Sequence, residues 1–315
     1  MKKRILLGGC AAILLAIAAC IGGSLYLIDY ALRPERQETD LQTAIKEECG
    51  NYPFITPWID SLITHKALRD TFITADDGCA LHAFYVYAAR PTRKTALLIH
   101  GYGGQATGML PIGYMYNRSL DYNILLPDLR RAGQSGGEAI QMGWLDRLDV
   151  KQWIDTAPSL FGDSLRIVVH GVSMGGATTM MVSGEKLPEY VDCFVDDCGY
   201  TSVWDEFRKE LKTQFHLPPF PLLHMASWLC ERKYGWNFRE ASALEQVRKC
   251  KKPMMFIHGA DDDYVPTWMV YPLYNAKPEP KTLWIVPDTE HADSYHNYPE
   301  EYTERVGEFV KEYMK

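Results

Sequence analysis

Outside its first few residues the 315-residue chain has no long basic run, and its formal net charge is −7. A phosphate backbone needs clustered lysine and arginine to displace its counterions, so nucleic acid is not an expected partner. Paired Cys-x-x-Cys clusters are missing too. Cys193 and Cys198 stand too far apart for a redox motif, and nothing has the spacing of a zinc site. The glycine-dense loop His100-Gly101-Tyr102-Gly103-Gly104 contains no lysine and fits neither Walker nor dinucleotide spacing, which argues against phosphate binding. Internal repeats and low-complexity tracts are absent, which excludes a solenoid or a disordered array.

What is present is an ordinary globular composition, 47% hydrophobic and 23% charged, enough for a substantial core. The length suits one large or two small domains, and α/β enzymes of this size are commonly one. Cys10 and Cys20 fall in an apolar N-terminal segment. The other six, Cys49, Cys79, Cys193, Cys198, Cys230 and Cys250, could form up to three disulfides in an exported protein or remain buried thiols.

Lys2, Lys3 and Arg4 precede 24 uncharged residues, Ile5 to Ile28. At a rise of ~1.5 Å per residue such a helix reaches ~36 Å, enough to span a bilayer with some tilt. The basic flank favours a cytoplasmic N-terminus, placing the remainder on the extracytoplasmic side. Ala16-Ile17-Ala18 resembles a signal-peptidase site and Ile17-Ala18-Ala19-Cys20 a lipobox, so an exported lipoprotein and a cleaved export signal are the alternatives to an anchor. Residues 1–32 form this segment, and residues 33–70 read as a stalk and leading helix. Tyr52 to Trp58 within it is irregular and aromatic and is expected to fold onto the domain.

From residue 71 the pattern is strand-rich. Phe72–Thr74 and Leu81–Tyr87 flank Asp76-Asp77-Gly78, a hairpin signal. Strands then alternate with helices: Ala96–Ile99, a helix near Gln105–Asn117, Asn123–Leu126, a helix over Trp144–Leu160, Ile167–Val169, Val191–Val195, Met254–Ile257 and Leu283–Val286. Helices near Trp268–Asn275 and Tyr298–Tyr313 complete the series. This alternation predicts a parallel sheet covered on both faces. Residues 199–249 interrupt it. Val203, Trp204, Phe207, Leu211 and Phe215 recur at helical spacing, Pro218, Pro219 and Pro221 end that helix, and a second covers Leu222–Tyr234. So long an insertion is expected to be a helical cap over an active site, with aromatics, Trp228 among them, that serve packing or an apolar substrate.

The sharpest signal is Gly171-Val172-Ser173-Met174-Gly175, which follows the β-branched run Ile167-Val168-Val169 and leads into a helix-compatible segment. A serine at a tight strand-to-helix turn is pushed clear of the sheet, with glycines two positions away on each side where backbones approach closely. Ser173 therefore reads as a nucleophile. A serine hydroxyl needs a base, a group that orients the base, and donors for the oxyanion. His291, directly after the last strand, is the base the chain order favours, with His296 behind it. Asp261, Asp262 and Asp263 follow the preceding strand and are the acids on offer, with Asp197 one strand earlier as a further candidate. The backbone N–H of Met174 supplies one oxyanion donor, and the loop at His100–Gly104 the other.

His100-Gly101-Tyr102-Gly103-Gly104, Asp128-Leu129-Arg130 with Gly133 and Ser135, the Ser173 elbow, His258-Gly259 with Asp262 and Val265-Pro266, and Glu290-His291 stand in an order that resembles the α/β-hydrolase superfamily. Bacterial, membrane-anchored members of its esterase-like and prolyl-oligopeptidase-like branches are the most similar. The resemblance covers roughly residues 70–315. It implies an α/β-hydrolase fold with a mostly parallel eight-stranded sheet, helices on both faces and a helical cap insertion. It selects Asp262 as the acid and the Tyr102 N–H as the second oxyanion donor, and it makes the Asp128–Ser135 motif structural. The expected activity is serine hydrolysis of a small-molecule ester without a metal or organic cofactor, a carboxylesterase. A prolyl-oligopeptidase-like peptidase and a catalytically inactive binding protein are the alternatives.

Overall fold

The computed structural model describes residues 2–36 and 40–314, with side chains from residue 13 onward. Lys2, Lys3, Arg4 and the Cys10 thiol lie outside the described side chains. The chain opens with α1 (Lys2–Leu32), α2 (Leu41–Asn51) and α3 (Thr56–Thr64), followed by the strands β1 (Arg69–Thr74), β2 (Ala80–Val86) and β3 (Lys94–Ile99). Next come α4 (Leu110–Tyr114), β4 (Asn123–Pro127), α5 (Asp146–Phe161), β5 (Arg166–Val172), α6 (Met174–Ser183) and β6 (Val191–Asp197). An insertion carries α7 (Val203–Phe215) and α8 (Leu222–Tyr234), after which α9 (Ala243–Val247) leads to β7 (Met254–Gly259). The chain closes with α10 (Val270–Ala276), β8 (Lys281–Val286), α11 (Ser294–Asn297) and α12 (Pro299–Tyr313).

The eight strands form one sheet in the order β1-β2-β4-β3-β5-β6-β7-β8. β1 and β2 are antiparallel to their neighbours, and every pairing from β4 onward is parallel. Side chains alternate across the sheet. Ala96, Leu98, Val168, Val195, Ile257 and Val286 face one side, in one core with Trp58 of α3, Ile112 of α4 and Tyr302 and Phe309 of α12. Leu97, Ile167, Val169, Phe194 and Phe256 are buried on the other, where α5 and α6 pack. The fold is that of an α/β hydrolase. Register sets Gly171 beside Ile99 and Asp196, so the parallel strands end along a common edge where loops can converge.

Two segments depart from expectation. Tyr52–Trp58 is not irregular: a 3-10 turn at Pro53–Ile55 runs into α3, and Trp58, Ile59 and Leu62 are buried. Prolines in the first turn of each piece cost no helical hydrogen bond there. The helix expected near Gln105–Asn117 is divided into a 3-10 turn at Ala106–Met109, the short α4 and a π-turn at Met115–Ser119. Pro111 has no N–H to give the preceding turn, so the helix restarts at Leu110. The hairpin at Asp76-Asp77-Gly78 forms as expected, with Gly78 at φ 86°. Among the described residues all seven cysteines, Cys20, Cys49, Cys79, Cys193, Cys198, Cys230 and Cys250, are free thiols.

The described residues divide into two compact units. One comprises the N-terminal helix through Glu35 together with Ser202–Ala241, and the other the remainder. In the first, Ser24 Oγ donates to the Leu222 carbonyl at 3.0 Å and the Tyr30 hydroxyl to Gln214 at 2.9 Å. Trp204 lies under the Arg239 guanidinium, 3.5 Å from its ring centre, and Phe207 meets Phe238 edge-on. Phe215 packs on Tyr30. Those three aromatics of the insertion thus have packing roles inside their own unit, while Trp228 is exposed.

In the larger unit the Asp128 motif organises a turn. Asp128 accepts from the Ala106 and Gln134 N–H groups and from the buried His82 ring. Arg130 bridges Asp77 and Asp149.

Candidate active site

Ser173 occupies the turn between β5 and α6 at φ 59° and ψ −120°. That region is costly for a residue with a Cβ, on the order of 1–3 kcal/mol, and it persists only where surrounding structure enforces it. Here two close approaches enforce it. A Cβ on Gly171 would lie 2.0 Å from the Gly175 carbonyl oxygen, and one on Gly175 would lie 2.0 Å from that of Ile99. The Ser173 N–H is held by the Asp197 carbonyl at 2.8 Å. Backbone packing therefore fixes where the hydroxyl points.

The His291 Nε2 is 2.8 Å from Ser173 Oγ, and its Nδ1 is 2.8 Å from Asp262 Oδ2. Asp262 Oδ1 accepts the Tyr264 and Val265 N–H groups at 3.0 and 2.9 Å. Burial by itself pushes the Asp262 carboxyl up, but its bonds to His258 and His291 outweigh this and hold it below the ordinary carboxylate range. A charged acceptor facing Nδ1 favours the tautomer with its proton there, leaving Nε2 free to accept from the serine. Tyr264 leans over the imidazole, ring centres 4.8 Å apart.

The other expected positions resolve as follows. Gly101 lies against the serine, since a Cβ there would be 3.3 Å from Ser173 Cβ; the loop of Tyr102 and the Met174 start of α6 thus meet at the hydroxyl. Asp261 and Asp263 are both exposed, Asp263 at the cavity wall. His296 packs edge-on against Tyr52. The His100 ring is committed to the backbone of other residues, accepting the Leu129 N–H at Nε2 and donating to the Gly101 carbonyl through Nδ1.

Asp197 lines the same cavity, but its carboxylate bonds to Tyr302 and Ser294. Its oxygens accept from Tyr302 at 2.8 Å and Ser294 at 3.3 Å, and burial, opposed by the Tyr302 bond, raises it to about 6. The contact that sequence reasoning missed is His258. Named in the sequence only as part of the His258-Gly259 motif, it places Nε2 3.2 Å from Asp262 Oδ2 and 2.8 Å from the Val265 carbonyl. Its spacing four residues before the acid was the available signal.

A cavity of about 620 Å³ opens on the serine and histidine. Tyr52, Met109, Ile112, Tyr264 and Tyr295 give it an apolar wall, and its charged lining is acidic: Asp197, Asp263 and Glu290. Cys198, Asp262 and His291 bring ligand-type atoms within 4.8 Å of one another. They are a poor metal set, since the acid and imidazole are already bonded together and burial holds the Cys198 thiol well above its ordinary value.

This fold, with serine, imidazole and carboxylate at its strand ends, defines an α/β hydrolase. The chain belongs to the prolyl oligopeptidase family, whose match spans residues 140–315. YqkD of Bacillus subtilis is 31% identical over 226 residues, covering 72% of this chain and 74% of that one. The Pyrococcus furiosus esterase Pf2001 superposes with a TM-score of 0.64 at 26% identity, over 79% of this chain and 93% of the esterase. An acylaminoacyl peptidase of Pyrococcus horikoshii shares the fold at a TM-score of 0.60 and 17% identity, over 81% of this chain and 44% of its own.

Proposed function

We propose that the protein is a serine carboxylesterase acting by acyl transfer. Ser173 Oγ bonds to the ester carbonyl carbon as its proton passes to His291 Nε2, with the Met174 and Tyr102 N–H groups donating to the oxyanion. Collapse breaks the bond to the alkoxy oxygen, which takes the proton from His291 and leaves as the alcohol. Water then attacks the acyl-serine, giving a proton to His291, and that proton returns to Ser173 Oγ as the acid departs. Asp262 stays ionised and stabilises the imidazolium. The observation that carries this reading is the unbroken pair of 2.8 Å contacts from Asp262 through His291 to Ser173.

The apolar wall of Tyr52, Met109, Ile112 and Tyr295 suits an acyl or aromatic group, and the Pyrococcus furiosus neighbour is an esterase. A peptidase is the second reading, favoured by the family match. The segment Ile13–Leu32 is long and apolar enough to cross a membrane. In the same proposal it anchors the enzyme with its catalytic unit on the extracytoplasmic side.

A fluorophosphonate should label the wild-type protein and spare Ser173→Ala; a folded wild type that resists labelling would return the chain to a binding role. Turnover of short-chain p-nitrophenyl esters far above that of aminoacyl or prolyl amides supports the esterase, and the reverse order the peptidase.

A further inference from the structure

The unit built from α1 and the insertion carries an apolar surface that catalysis does not use. From Thr213 to Cys230 the sequence has no Asp, Glu, Lys or Arg. Within this run Phe220 is 72% exposed and Leu217 38%, on a turn reading Leu-Pro-Pro-Phe-Pro, and Trp228 of α8 is 48% exposed. Exposure of that kind costs stability in water unless something apolar covers it.

Contacts within the unit fix this turn relative to α1. Phe215 packs on Tyr30, and Gln214 accepts from the Tyr30 hydroxyl. Leu222 lies beside Gly23 and Ser24, bonded to the latter at 3.0 Å. At its far end α8 brings Lys233 within 3.5 Å of Asp29. The turn therefore descends along α1 from Tyr30 toward Ser24, and α8 climbs back to the first charged residue after the apolar run. Ser24 lies five residues inside that limit, which at ~1.5 Å per residue is roughly 7 Å down the helix. Beyond it Ile13, Leu14, Leu15 and Ile17 are exposed along the rest of the apolar helix.

We infer that the Leu217–Leu222 turn enters the outer leaflet of the lipid bilayer that α1 crosses. Phe220 is its wedge, and Trp228 lies at the interface, where indole rings find both acyl chains and water. Arg232 and Lys233, which follow Glu231 at the end of the uncharged run, meet the lipid head groups. The occupant is lipid because the patch is continuous with the helix proposed to span the membrane, the uncharged run is bracketed by Lys212 and Glu231, and its depth follows from the Ser24–Leu222 bond. The inference rests on the anchor reading of α1, not on the proposed chemistry.

The test uses the full chain reconstituted in phosphatidylcholine–phosphatidylglycerol vesicles, with p-benzoylphenylalanine in place of Phe220. A control carries the same probe in place of Phe72, an exposed residue of β1. Irradiation should yield phospholipid adducts several-fold more abundant from position 220 than from 72. Equal or negligible lipid labelling at both, in a chain that still floats with the vesicles after carbonate washing, overturns the wedge while leaving the anchor in place. Adducts from 220 to a second copy of the chain overturn it in favour of a self-association surface. If the wild-type chain does not float with vesicles, the anchor reading itself fails and the wedge goes with it.

Discussion

At the scale of single residues, three neighbouring aspartates share one turn and have three environments. Asp262 is buried, takes two backbone N–H groups and meets two imidazoles, whereas Asp261 is exposed and Asp263 only borders the cavity. Only a carboxylate held in this way can fix the His291 tautomer. On the proposed mechanism Asp262→Asn should lower kcat on the order of 10⁴-fold with the fold intact, because the amide presents the wrong partner to Nδ1. Asp197→Asn should retain turnover of the wild-type order and change stability by no more than about 1 kcal/mol, since the amide oxygen can still accept from the Tyr302 hydroxyl and its NH2 can donate to Ser294 Oγ. Steady-state kinetics beside urea unfolding separates the two; a crippled Asp197→Asn enzyme with an active Asp262→Asn enzyme would reverse the assignment of the acid. At this scale the sequence pointed to Ser173 and His291, which stand in motif positions and lie in contact. The choice among the aspartates came from a resemblance rather than from their spacing.

At the scale of elements, the β5–α6 turn is where the chain is most constrained. The positive φ of Ser173 persists because Gly171 and Gly175 let backbone pass where a methyl group would overlap oxygen. Gly175→Ala should therefore destabilise by more than the ~1–3 kcal/mol of ordinary overpacking, since the clash is with the Ile99 carbonyl rather than a movable side chain. A large drop in thermal midpoint, or insoluble expression, is expected; a variant as stable as wild type and fully active would contradict this account of the turn. The strands were readable because short β-branched and apolar runs alternate with amphipathic helices. The broken helix at residues 106–119 was not. Its apolar residues keep helical spacing through Pro111, and only the missing N–H reveals the interruption.

At the scale of the whole molecule, buried carboxyls set the pH response. Burial raises Asp196 to about 8, Asp146 and Glu48 to about 7, and Asp197 to about 6. A raised carboxyl binds its proton more tightly folded than unfolded, so its contribution is full below about pH 4 and is lost as pH rises through the folded value. Asp262 and Asp128, held low, act in the opposite sense and are lost only below pH 4. Stability in urea should accordingly fall between pH 5 and pH 8. Asp196→Asn, nearly isosteric and still able to accept the Gly199 N–H, should make that fall shallower. An unchanged slope in the variant would remove Asp196 from the explanation.

The sequence by itself determined what depends on local chemistry and periodicity: the order of strands and helices, the serine at its glycine-flanked turn, the histidine after the last strand, and the long apolar N-terminal run. These are properties of neighbours along the chain, where side-chain spacing and turn geometry act directly. Only the tertiary structure decided what depends on distant segments meeting. It set His258 against Asp262, turned Asp197 toward Tyr302, built the cavity wall from Tyr52, Ile112 and Tyr295, and paired Ser24 with Leu222. Such contacts arise from sheet register and helix packing across long loops, and no pattern within a short window of residues encodes them.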